Sequence, residues 1–358
     1  MSSSSAQTKL IPSGCNQTPA ISHLWKVSVS PHVKSGESVE KIMWTVVACL
    51  VPPLVLSVFI FGIQTLLITA VSVVSCVAVE AATQKAMGRR ITIKDGSAVI
   101  TGMLIAFVIP PGVSPLLPIL GAVMGIAIGK HLLGGIGYNI FNPALLARAF
   151  LLATFPVAMT SAWLPPLSDM AIFSYLGTPI DAIATATPLA VLKTQGLAGF
   201  SEQFGVGANL YTNFFLGWRP GSIGETSGLL IVLGGLYLLY RGYITWHIPV
   251  SMLATIALLS WCFGGEVLFS GDPLLAVLSG GALLGAFFMA TDYVTSPTSK
   301  TSQLIFGVGI GALTVLIRLK GGYPEGICYA ILLMNPVSPV LDGFFKPKRF
   351  APLQGGGK

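Results

Sequence analysis

Apolar residues in this chain fall in repeated runs of about 15 to 22 residues, each closed by glycine, proline or charge, which is the length that crosses a lipid hydrocarbon layer. With 53% hydrophobic and 9% charged residues among 358, a water-soluble fold would lack the polar surface to cover its core. A bilayer accepts the surplus directly, provided every backbone polar group is satisfied within helices. The expected class is an all-α polytopic membrane protein.

Ten candidate spans are read at 42–62, 64–83, 97–110, 115–133, 143–160, 227–241, 246–264, 273–291, 303–317 and 325–341. The division expected from them is a tail over 1–41, five helices over 42–160, a long loop over 161–226, five helices over 227–341 and a tail over 342–358. If the N-terminus is cytoplasmic, the basic residues of both tails lie inside together with Lys85, Arg89, Arg90, Lys94, Lys130, Arg148, Arg241 and Lys300. Only Lys193, Arg219, Arg318 and Lys320 then lie outside. That asymmetry predicts cytoplasmic termini, and two inside termini require an even number of crossings. It also accounts for the net charge of +7. The first 40 residues are Ser-rich and polar, without the apolar core of a signal peptide.

Several function classes lack their residues. Cys15, Cys49, Cys76, Cys262 and Cys328 are scattered without a CxxC pair, and His23, His32, His131 and His247 have no paired spacing. No metal, haem or iron–sulfur site is expected in this chain. Neither a P-loop, nor GxGxxG after a strand, nor a basic face interleaved with aromatics is present, so nucleotide hydrolysis, direct NAD binding and nucleic-acid binding are not expected.

The two halves echo one another. LIAF at 104–107 recurs as LGAF at 284–287, Gly134-Gly135 as Gly321-Gly322, and Asn142-Pro143 as Asn335-Pro336. Five spans per half would place the second half in inverted orientation, an arrangement that puts a pathway at the repeat interface. The third and eighth spans are short and end in breakers, FVIPPGVSP and FMATDYVTSP. Paired interrupted helices point to a binding or conduction site, although close glycine packing gives the same pattern. Acidic residues at membrane depth are candidates for ion handling, here Glu80 in the second span and Asp292 at the eighth.

The loop over 161–226, expected outside, contains DAIATATPLAVLK. Thr187 precedes Pro188 and a short apolar-periodic stretch ending near Gly196, the pattern of an N-cap with proline at the first helical position. A helix N-terminus offers unpaired N–H donors and partial positive charge, so a phosphate esterified to this hydroxyl would be well met. Lys193 and Arg219 lie in the same loop and carry compensating charge. On residues alone, a cap without further function gives the same sequence.

DAIATATPLA resembles the flavinylation motif of the RnfD and NqrB membrane subunits, with Asp181 and Thr187 in the positions of its Asp and its FMN-accepting Thr. DGSAVITGMLIAFVIPPGVSP, GGIGYNIFNPALLARAF, GAFFMATDYVTSP and MNPVSPVLDGFF extend the resemblance over nearly all of 43–345, and the length is closer to RnfD. Two places depart from the family pattern: Ala184 and Thr185 replace its usual residues, making Thr185 a second candidate for attachment, and Tyr293 stands where Pro commonly follows Asp292. The resemblance implies FMN bound through its phosphate to Thr187, installed by a flavin transferase. It also implies partner subunits RnfA, RnfB, RnfC, RnfE and RnfG in a complex that couples ferredoxin:NAD electron transfer to Na⁺ or H⁺ translocation. Related NqrB proteins hold a second, non-covalent riboflavin near the asparagines matched by Asn139 and Asn142, whose amides could both donate and accept. Two other classes remain open from sequence: a urea-channel-like solute channel or transporter, whose architecture an inverted five-plus-five repeat resembles, and a structural anchor with its flavin motif unused.

Overall fold

A computed structural model describes residues 37–167 and 185–345, apart from positions 133, 136, 206 and 266. Among these residues the chain is all helical, without a strand. Helices α1 (Val39–Phe61) and α2 (Ile63–Ala86) precede α3 (Ser97–Val108) and α4 (Leu116–His131). Then come α5 (Pro143–Thr154), α6 (Pro156–Ser161), α7 (Pro188–Phe204) and α8 (Ala208–Leu216). The second half holds α9 (Gly228–Tyr240), α10 (His247–Phe263), α11 (Pro273–Leu278), α12 (Ala282–Leu284, continued as a π-helix over Gly285–Met289), α13 (Lys300–Lys320) and the run Ile327–Phe344, here α14. Four of these, α1, α2, α13 and α14, are long and apolar enough to cross a membrane, and five shorter apolar helices accompany them.

The outer helices turn apolar side chains outward: Val51, Val55 and Phe59 on α1, Leu66 and Val74 on α2, Leu233 and Leu236 on α9, and Leu258 on α10 are exposed. Water would penalise those surfaces and lipid does not. The centre is filled by α3, α5, α12 and the start of α14. On α3 every residue from Thr101 to Val108 is buried, as befits a helix that is apolar on all sides. Glycine permits close approach at two crossings. A Cβ on Gly102 of α3 would lie 2.6 Å from Val73 Cα of α2, where Ser72 Oγ donates to Gly102 O at 2.7 Å. On α13, Gly307 and Gly311 likewise admit the backbone of α10.

Both short spans are interrupted. After α3, residues 109–113 are non-helical yet buried, with Gly112 N donating to Ala162 O at 3.1 Å. The eighth stretch, read from sequence as one helix over 273–291, is instead broken at its middle. Gly280 and Gly281, at φ 65° and 67°, take the chain through the left-handed region between α11 and α12. The repeated Asn-Pro pairs meet at the centre: Asn142 N donates to the Asn335 side-chain oxygen at 3.0 Å, and the Asn335 amide nitrogen donates to Ile331 O at 3.0 Å.

Replacing Gly102 with Val forces backbone separation at the α2–α3 crossing, a strain of roughly 1–3 kcal/mol. A lower melting temperature in detergent is expected for Gly102→Val. No such loss is expected for Gly343→Ala, whose added Cβ meets nothing within 4 Å.

Candidate functional site: the Thr187 cavity and the charge cluster behind it

Thr187 caps α7. It holds an extended backbone (φ −69°, ψ 152°), its Oγ1 accepts from Ala190 N at 3.3 Å, and Pro188 occupies the first helical position. The helix kinks at Gly196, at φ 70°, where the apolar stretch ends. Thr185 N donates to Trp163 O at 2.9 Å, anchoring the segment that leads into the cap, while Thr185 Oγ1 is buried without a hydrogen-bond partner among the described residues. Asp181 lies outside the described residues.

The Thr187 side chain, 5% exposed, faces a cavity whose walls include Arg148, Trp163, Tyr323, Glu325 and Tyr329. Tyr323 and Tyr329 stack with centroids 5.4 Å apart at 25°. This set fits a flavin mononucleotide chemically: aromatic faces suit a planar ring, and a helix N-terminus and a guanidinium suit a phosphate. Neither Lys193 nor Arg219 is among the lining residues. Lys193 Nζ donates to the carbonyls of Gly321 and Tyr323. The Arg219 guanidinium sits over the Phe214 ring, 4.6 Å from its centroid, and donates to Leu278 O at 2.6 Å.

The cation of the cavity is Arg148, which sequence reasoning places on the other side. The charge asymmetry groups it with the cytoplasmic set, whereas the structure pairs its Nη2 with Glu325 Oε2. Arg318 Nε in turn donates to Glu325 O at 3.0 Å, so Arg148 belongs with a residue of the opposite set. The signal that could have found it is the charge itself, since an arginine six residues into an apolar helix needs a buried partner.

Behind the pair, Arg148 and Glu325 also wall a small second cavity with Ser222, Glu225, Gly280 and Gly281. Here the break in the eighth stretch leaves the last carbonyls of α11 without helical partners. Arg318 caps Ala276 O at 2.7 Å and Ser279 O at 3.0 Å, and Arg219 caps Leu278 O. Glu225 is buried with its Oε1 unpartnered among the described residues. Burial, and after it the charge of Glu325, raises the Glu225 carboxyl above the usual carboxylate range against the pull of Arg219 and Arg148. Burial lowers the Arg219 guanidinium.

Glu80 and Asp292, the two acidic candidates for ion handling, lie in different surroundings. Glu80 is fully buried and accepts from Lys130 Nζ at 2.8 Å on both oxygens and from Gln84 at 3.1 Å. Lys130 also donates to Ser97 Oγ at 2.7 Å, and His131 Nε2 stands 3.7 Å from the same carboxylate. Lys130, counted from sequence with the cytoplasmic charges at the end of the fourth span, is buried near the end of the π-helical stretch of α4. Asp292, whose Oδ2 accepts from Thr295 Oγ1 at 3.3 Å, lines a third cavity with Lys130, Thr101, Asn139 and Asn142.

The two asparagines differ. Asn142 caps α5: its Oδ1 accepts from Ala144 N and Leu145 N, and its Nδ2 donates to Met289 O at 3.3 Å. Its amide oxygen and one of its N–H groups thus hold α5 against α12. The Asn139 amide makes one hydrogen bond among the described residues, to Phe141 O at 3.3 Å.

Fold and site together define a multi-pass helical membrane protein with discontinuous helices at its centre and a threonine-capped, cation-lined aromatic cavity beside them. The chain belongs to the NQR2, RnfD, RnfE family, whose model matches residues 26–351. It is 49% identical over 329 residues to the D subunit of the proton-translocating ferredoxin:NAD(+) oxidoreductase complex of Clostridium ljungdahlii, covering 92% of this chain and 96% of that protein. To the D subunit of the Na(+)-translocating ferredoxin:NAD(+) oxidoreductase complex of Acetobacterium woodii it is 43% identical over 322 residues, covering 90% and 94%. The D subunit of the ion-translocating oxidoreductase complex of Stutzerimonas stutzeri shares 40% over 326 residues, covering 87% and 92%.

Truncating one partner of the Glu80–Lys130 pair strands a buried charge, at about 3–5 kcal/mol. Lys130→Met is expected to accumulate poorly in membranes, and Glu80→Gln/Lys130→Met to accumulate better than Lys130→Met alone, as judged by the folded peak on detergent size-exclusion chromatography.

Proposed function

We propose that the chain is the D-type membrane subunit of an ion-translocating ferredoxin:NAD oxidoreductase complex, carrying FMN esterified through its phosphate to Thr187. Family membership and end-to-end similarity to D-type subunits support the first part. The observation that carries the second is the Thr187 hydroxyl, set at a helix N-terminus in a cavity with aromatic walls and a guanidinium. Thr185 is the weaker candidate, since it precedes the cap and has no helix N-terminus behind it.

FMN at this position would supply one- and two-electron transfer between carriers held by neighbouring subunits. Attachment through phosphate leaves the ring chemistry unaltered, so the protein's part is to orient the ring and set its electrostatics. Trp163, Tyr323 and Tyr329 would flank the ring and exclude water. The Ala190 N–H and Arg148 would face the phosphate. The family pattern adds Asp181 to this motif, and Lys193 on the same helix contributes positive charge at longer range.

The topology that suits this role has ten crossings in two inverted repeats of five, cytoplasmic termini and the Thr187 loop on the far side. The apolar runs and the positive-inside asymmetry support it, as does the meeting of Asn142 with Asn335. With ferredoxin and NAD on the cytoplasmic side, electrons must cross to the flavin and return through other subunits. One charge moved against 100 mV requires about 2.3 kcal/mol, within reach of such transfers. Relatives are named for H⁺ and for Na⁺ alike, so the ion is proposed only as one of these two. Glu80 and Asp292 are proposed for the ion path, Glu80 with Lys130 as its counter-charge. A second, riboflavin site is proposed in the cavity of Asn139, with Asn142 shaping it through the start of α5.

Expression with a flavin transferase and denaturing electrophoresis tests the attachment. A fluorescent band is expected in the wild type and in Thr185→Ala and absent from Thr187→Ala. A wild type without fluorescence would defeat the flavoprotein reading and favour a solute channel or an anchor.

A further inference from the structure

Around the Thr187 cavity and the charge cluster behind it, guanidiniums outnumber carboxylates. Among the described residues, Arg148, Arg219 and Arg318 face only Glu225 and Glu325, and each carboxylate feels more than one of the three guanidiniums. Arg219 and Arg318 are committed to the carbonyls exposed by the helix break. Arg148 alone of the three has no such duty. It holds Glu325, its Nε is buried without an acceptor among the described residues, as are Arg219 Nε and Nη1, and of the three only Arg148 lies in the wall of the cavity that Thr187 faces.

An excess buried positive charge is unfavourable unless an anion accompanies it. The phosphodiester joining a threonine to FMN carries one negative charge. It therefore matches the excess in sign, and it would stand in a cavity that Arg148 lines. We infer that Arg148 is the positioning residue for this phosphodiester, engaged by Glu325 in competition until the ester forms and shared between the two anions afterwards. The inference rests on the attachment reading above. No bond in Arg148 is made or broken: the guanidinium redistributes hydrogen bonds from one carboxylate to a carboxylate and a phosphate.

The test uses the full-length chain expressed with its partner subunits and flavin transferase, with in-gel flavin fluorescence expressed per chain recovered in the membrane. Wild type and Thr187→Ala establish whether the ester forms at all, and an unlabelled wild type would remove the underlying reading rather than this one alone. Given a labelled wild type, Arg148→Gln/Glu325→Gln, which leaves the net charge of the cluster unchanged, is expected to label roughly tenfold less or worse, the scale of one hydrogen bond to a charged group. Arg148→Lys is expected to label above the Gln variant, and Glu325→Gln, which frees Arg148, at or above wild type. Wild-type labelling in Arg148→Gln/Glu325→Gln would overturn the inference. Should that variant fail to accumulate, Glu325→Gln decides, because a fall in its labelling would mark the pair as structural only.

Discussion

A helix broken in a protein interior exposes backbone carbonyls that need other donors, and the arrangement around the proposed site follows from how those carbonyls are satisfied. The break at Ser279–Gly281 frees the end of α11, and Arg318 and Arg219 reach in from α13 and from the loop before α9 to cap it. Two guanidiniums so placed require counter-charge. Glu225 and Glu325 supply it, and Glu325 draws Arg148 of α5 into the cluster. The cavity in front of Thr187 thus gains its cation as the far end of a chain that starts at two glycines.

Helix α5 links this region to the other candidate site. Asn142 at its start is fixed to Met289 of α12 and to Asn335, while Arg148, about 9 Å further along, stands in the Thr187 cavity. A shift of α12 would therefore be felt in both cavities through one rigid element. The asparagine cap satisfies two of the free N–H groups at the start of α5, so the helix can begin in the interior without orphaned donors.

Much of this is legible in the sequence, and the exceptions have physical causes. The long apolar helices follow from run length, the interruption after α3 from Pro110-Pro111, and the cap of α7 from Thr187-Pro188. The break at Gly280-Gly281 escapes sequence reading because glycine pairs are common in packed membrane helices, and only the φ values distinguish a turn from a close contact. A rule that treats basic residues as solvated at the membrane edge misplaces Arg148 and Lys130. Lys130 is instead buried, and Arg148 partly buried, against carboxylates distant in sequence, Glu80 and Glu325, and pairing over such a distance leaves no local pattern. Lys193 and Arg219 are near Thr187 in sequence, yet the fold commits both to backbone carbonyls.

The central claim is that Thr187, and no other residue, carries the flavin. Proteolysis of the purified complex and fragmentation mass spectrometry of the peptide spanning 185–193 tests it directly. The account predicts a mass increase equal to FMN less one water, localised to Thr187. An unmodified peptide from a complex that contains covalent flavin on this chain, or an adduct localised to Thr185, would contradict it.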